Sequence, residues 1–192
     1  MTTITAPRRE VIQGPSFLSR LFTSARAAWL WLPLRLWLGY QWLDAGSHKV
    51  GNPAWTETGV ALKGFWTNAV SMPEGGRPPI AFDWYRSFIQ TLLDAEAYTW
   101  FAKLIAYGEL LIGIALIAGA LIGVTAFFAA FMNWNFMMAG SASTNPLLFV
   151  IAIGLLLAWR VAGRIGVDYA IFNHKRILNW VNTRRDENAV TG

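Results

Sequence analysis

The chain contains no cysteine. Disulfides, thiolate nucleophiles and Cys-ligated iron–sulfur clusters within it are therefore excluded. Imidazole is nearly as scarce, with His48 and His174 the only histidines. The topology argued below sets them on opposite sides of a membrane, which speaks against a bis-histidine haem. Charge is sparse too. Asp, Glu, Lys and Arg make up 14% of the residues, and none falls between Glu109 and Arg160. A run of that length without charge does not suit a small soluble domain, which must keep much of its surface polar.

Apolar and aromatic residues are abundant. The chain is 55% hydrophobic with 11 Trp, and its mean hydropathy is +0.37. Four apolar blocks, roughly 27–48, 98–121, 122–141 and 146–164, approach or exceed the roughly 20 residues that cross a hydrocarbon core. They predict an all-α fold, an integral membrane four-helix bundle occupying residues 27–165 as one domain. Trp29, Trp31 and Trp42 suit the interfacial ends of the first span. Residues 50–97 are too long and polar for a turn. Trp55 to Ala69 and Phe82 to Ala95 carry apolar residues at helical spacing and predict two short amphipathic helices on the bundle's outer end. MPEGGRPP, Met72 to Pro79, joins them as a loop. Gly119 and Gly123 fit a tight turn between the second and third spans, and Ala115, Gly119 and Gly123 form a small-residue row suited to close helix packing. Asn145 and Pro146 read as cap and first-turn proline of the fourth span.

The net charge of +5 arises from basic residues at the two ends. Arg8, Arg9, Arg20 and Arg26 precede the first span; Arg160, Arg164, Lys175, Arg176, Arg184 and Arg185 follow the last. Basic residues flanking apolar spans point to cytoplasmic termini in a multi-pass protein of the cell membrane, not to nucleic acid. Residues 1–26 read as a mobile cytoplasmic N-terminus, with the first span retained because no cleavage site follows it. Residues 166–192 read as a basic amphipathic cytoplasmic tail.

Polar residues at membrane depth are costly and face the bundle interior. Here they are Arg35, Asp44, Lys103, Glu109, Asn133 and Asn135. Counted from helix ends, Arg35 and Glu109 differ in height by only about 4–5 Å at 1.5 Å per residue, which predicts an ion pair with Asn133 alongside. Asp44 and Lys103, nearer the outer end, form a second candidate pair. Met132, Met137 and Met138 suit packing, and no metal site is expected.

The order of these features resembles a known family. Arg35, Gly39, Gly46 and Lys49 stand as R-x3-G-x6-G-x2-K. The second span holds Glu109 in GELLIGIALIAG, and Ala139 to Ser141 form AGS ahead of Asn145 and Pro146. Across residues 27–165 this looks like the DoxX family of small four-helix membrane proteins, its DoxD-type members with a long excursion above all. The resemblance implies a subunit that takes part in passing electrons from thiosulfate, or a related small reductant, to quinone. Quinone is then the expected cofactor, packed against Trp37 and Trp134, with Arg35, Glu109 and Asn133 as catalytic candidates that bond its carbonyls or relay protons. An anionic substrate is expected at the outer end near Asp44, His48, Lys49, Lys63, Arg77, Arg86 and Lys103. The alternatives are a non-catalytic accessory or scaffold subunit of a larger membrane complex, or a small-molecule transporter. The expected partners are the lipid bilayer and a partner membrane subunit or a second copy of the chain.

Overall fold

The computed structural model describes residues 16–173. All its regular elements are helical. In chain order they are α1 (Ser16–Thr23), a 3₁₀ turn (Ala25–Ala27), α2 (Ala28–Val50), α3 (Pro53–Thr56), α4 (Val60–Val70), α5 (Asp83–Asp94), α6 (Tyr98–Ala118), α7 (Ile122–Met138), α8 (Asn145–Leu157), α9 (Trp159–Ala162) and α10 (Val167–Phe172).

The helices α2, α6, α7 and α8 run alternately up and down. The α2 helix lies against α6, and α7 lies against α8. Their shared core holds Trp31, Leu38, Trp42, Leu116, Ile122, Ala126, Ala129, Ala152 and Leu155. A second core under the excursion joins Leu62, Trp66, Tyr85 and Ile89 to Ala102 and Ile105 of α6. The outward faces of α6, α7 and α8 are apolar as well, with Leu104, Leu111, Val124, Phe127, Phe128, Val150 and Leu157 all exposed. Among the described residues, one helix, Tyr98–Ala118, is both long and apolar enough to cross a membrane. Ile122–Met138 and Asn145–Leu157 are apolar but shorter, and α2 has the length but carries Arg35, Asp44 and Lys49. The expectation of four full-length spans is thus reduced to one by length and composition.

Three glycines fix how α2 meets α6. A methyl group on Gly39 would collide with Ile117, one on Gly46 with the backbone at Leu110, and one on Gly113 with the backbone at Leu43. These contacts place Ala118, the end of α6, beside Leu38 instead of Ala28. The helix ends are staggered by about ten residues, or about 15 Å at 1.5 Å per residue. The row Ala115, Gly119 and Gly123 does not form one packing face. Gly119 ends α6 at φ 71°, where a side chain would be strained, and Gly123 faces Trp159.

Other boundaries also shift. Part of the N-terminal segment read as mobile is helical: α1 leads into the 3₁₀ turn, Leu21 and Phe22 pack on the core, and Trp31 Nε1 donates to the Leu21 carbonyl at 2.9 Å. The first excursion helix splits into α3 and α4 at Gly59, whose φ is 72°. Asn145 is the first residue of α8, not its cap; its amide donates to the Ser141 carbonyl at 2.8 Å. Of the tail read as amphipathic, α10 is described; His174 and the basic residues beyond it lie outside the described residues.

Candidate functional site

The stagger decides which charges meet. Glu109 is level with Gly46, about eleven residues from Arg35 along α2, or about 16 Å. The expected Arg35–Glu109 pair is therefore not formed. Glu109, 1% exposed, instead pairs with Lys49 Nζ, 2.5 Å from its Oε2. Lys49 reaches inward from the last turn of α2, its amine over the Trp55 ring at 5.2 Å.

Arg35 serves the opposite end. Its Nη1 donates to the Ala162 carbonyl at 2.7 Å, and its charge is offset by the Asp168 carboxylate without a direct ion pair. Asp168, itself buried, accepts from the backbone N–H of Leu121 at 2.6 Å and of Ile122 at 2.9 Å. It thereby satisfies the first turn of α7, whose N–H groups have no partner within their own helix. The Asp44–Lys103 pair is also absent. Asp44 Oδ1 lies 3.7 Å from His48 Nδ1, which also contacts the Asp44 carbonyl at 2.8 Å, and Lys103 is exposed.

A cavity of about 340 Å³ opens beside the Lys49–Glu109 pair, at the end of the bundle where α2 finishes. Trp42, Asp44, Trp55, Asn133, Phe136 and Asn145 are among its walls. Asn133 is fully buried, yet neither its amide nitrogen nor its oxygen has a protein hydrogen-bond partner, and the same is true of Trp42 Nε1. An unpaired buried polar group costs about 1–3 kcal/mol. All three such atoms belong to residues that line the cavity, just behind its surface, so a small shift of the walls would bring them within reach of a ligand or water there. The arrangement offers N–H donors from Trp42 and Asn133, a cation from Lys49, and acceptors from Asn133 and Glu109. It suits a small molecule rich in oxygen.

Of the expected site residues, Glu109, Asn133, Lys49 and Asp44 line this one cavity. Arg35 lies at the other end. Trp37 and Trp134 are not in its wall; both are more than one third exposed, and Trp134 packs edge-on to Tyr85. The cationic cluster is not assembled either. Arg77 is exposed in the loop before α5, Arg86 is taken by Asp83 at 2.7 Å and the Ile80 carbonyl at 3.0 Å, His48 projects outward with its side chain 77% exposed, and Lys63 sits over the Tyr98 ring at 5.0 Å. Sequence reasoning missed Trp55 and Phe136 as cavity walls and Asp168 as the partner of α7. It also read Trp42 as an interfacial residue, whereas Trp42 is buried in the core. Among the described residues no group of three His, Asp or Glu is placed to hold a metal ion.

Comparison with family models, with curated proteins and with solved structures found no match to the chain.

Proposed function

We propose that the chain is a DoxX-like, multi-pass protein of the cell membrane whose outer-end cavity holds the headgroup of a quinone, as a subunit that passes electrons from thiosulfate or a related small reductant. The observation that carries this reading is that Trp42 and Asn133, whose buried polar atoms have no protein partner, line one cavity together with the Lys49–Glu109 pair. Quinone carbonyls accept hydrogen bonds, and the Trp42, Asn133 and Lys49 donors fit them. When bound, the quinone supplies the two-electron chemistry that these side chains lack. Glu109 and Lys49 hold and hand over protons at the headgroup oxygens.

The membrane reading is supported by the apolar outward faces of α6, α7 and α8, which would be unfavourable in water. Of the four bundle helices, α7 and α8 are shorter than a typical span and α2 is more polar. The polar cavity and the Arg35 cluster would then lie near the two headgroup regions, where water softens their cost. The described chain enters and leaves at the same end of the bundle, the end rich in Arg, so both termini fall on the cytoplasmic side. Single cysteines at Ser71 and Arg164, labelled with an impermeant thiol reagent in intact cells, test this. Labelling at 71 and not at 164 is expected, and the reverse refutes the orientation.

The function is tested on protein purified in mild detergent. Co-purified quinone and thiosulfate-dependent reduction of a quinone analogue are expected, with both lowered in Asn133→Leu. A wild-type protein that neither retains nor binds quinone would refute the reading and favour the accessory-subunit alternative.

A further inference from the structure

One further cavity adjoins the polar one and a groove adjoins that cavity in turn, and both are mainly apolar. The first, about 160 Å³, lies between α4, α5, α6 and α7. It shares Leu62, Phe65 and Phe136 with the polar cavity as a common wall. The second is a groove of about 400 Å³ between α6 and α7. It shares Phe101, Ile105, Phe131 and Met132 with the first. Leu104, Leu111, Val124 and Phe128 are exposed along its edges, so it opens on the outer apolar face of the bundle. The sequence is thus ordered from polar pocket to apolar chamber to apolar groove open at the side. Its two partitions consist of apolar side chains alone. Gly108, on the groove wall, keeps it deep: a methyl group there would meet nothing nearer than the Met132 sulfur, at 3.9 Å.

We propose that the ligand of the polar cavity carries an aliphatic tail, which leaves past Leu62, Phe65 and Phe136 and lies in the groove between α6 and α7. The inference rests on the polar cavity being a headgroup site. It adds the route by which the ligand enters, sideways from the apolar surroundings, and the residues that select for a tail. The aliphatic chain gains contact along both apolar compartments. The charged wall of the polar cavity, Asp44, Lys49 and Glu109, disfavours a tail at the other end, because an aliphatic chain there would take up space that hydrates them without bonding to them.

The test uses two probes with one headgroup: a methoxy-substituted benzoquinone without a side chain, and the same ring carrying a decyl chain. Binding is read by quenching of tryptophan fluorescence in lipid nanodiscs, since Trp42 and Trp55 line the head cavity. Gly108→Leu fills the groove from α6. Val124→Trp fills it from α7, at a position 54% exposed, and provides a second variant should the first fail to fold. Each variant is expected to bind the decyl probe about tenfold more weakly than wild type does and to bind the tailless probe equally well. Equal losses for both probes, or no loss for either, would overturn the tail route while leaving the headgroup site standing. A wild type that binds neither probe would overturn both.

Discussion

Replacing Lys49 by Met removes the amine that contacts Glu109 while keeping much of the stem that packs near Trp55. The Glu109 carboxylate is then left 1% exposed with no cation in contact. Breaking a buried pair by removing one partner costs about 3–5 kcal/mol. The lower figure applies here, because the Lys49 side chain is 21% exposed and water at the cavity mouth replaces part of the lost interaction. An expected loss of about 3 kcal/mol is large against the 5–15 kcal/mol of a typical domain. Adding Glu109→Leu should restore most of it, because the uncompensated charge is gone. The assay is denaturant unfolding in detergent, followed by tryptophan fluorescence, over the full double-mutant cycle. A coupling of about 2 kcal/mol or more is expected. The parallel cycle of Arg35→Met with Glu109→Leu should add within about 0.5 kcal/mol, as groups this far apart do. Additive behaviour in the first cycle, or strong coupling in the second, would refute the stagger of α6 along α2.

Asp168→Asn keeps the size but withdraws one of the two oxygens that accept from Leu121 and Ile122 and removes the charge that offsets Arg35. A loss of about 2–3 kcal/mol is expected in the same unfolding assay, and a change under 0.5 kcal/mol would exclude the capping role. Tyr85 is buried on α5, and burial raises its hydroxyl to about 12. The unfolded hydroxyl titrates near 10, so its contribution is intact below about pH 10 and is lost progressively towards pH 12, on the order of 2–3 kcal/mol. Tyr85→Phe should flatten that part of the stability–pH curve, and identical slopes in the two proteins would sink the assignment. Gly46→Ala should force α2 away from the Leu110 backbone and lower stability by about 1–3 kcal/mol, as overpacking does; a neutral result would mean that the two helices do not touch there.

The helices themselves were legible. Apolar blocks bounded by Gly, Pro and Asn located α2, α6 and α7 to within about three residues, because local period and breakers act within each segment, whereas the fourth block ran on through the break after Leu157 that separates α8 from α9. Pairing was less legible. Counting from helix ends assumed that the start of α2 is level with the end of α6, whereas Gly39, Gly46 and Gly113 let the backbones touch only in a displaced register. The displaced register takes Arg35 to the other end of the bundle and sets Lys49, expected only as an anion-binding residue, against Glu109. Asn133 and Glu109, both buried beside the cavity, stood out in the sequence because a polar residue in an apolar block is conspicuous on its own. Asp168 did not, because a carboxylate in a polar segment looks ordinary until the turn after Gly119 is seen to need an acceptor. Trp42 misled in the opposite way: a tryptophan near a span's end suits an interface, and only the packing shows it facing inward.

The Asp168 clamp also has a consequence for the order in which the protein is made. Leu121 and Ile122 start α7, but the carboxylate that accepts from their amides lies 47 and 46 residues further along the chain. A ribosome finishes the α6–α7 hairpin well before that residue exists. The turn therefore waits, with its amides bonded to water, until α8, α9 and the start of α10 have emerged. Completion of the α6–α7 hairpin is thereby tied to delivery of the last described helix. A chain truncated before Asp168 would lose more than its tail, because a turn formed some fifty residues earlier would never be closed.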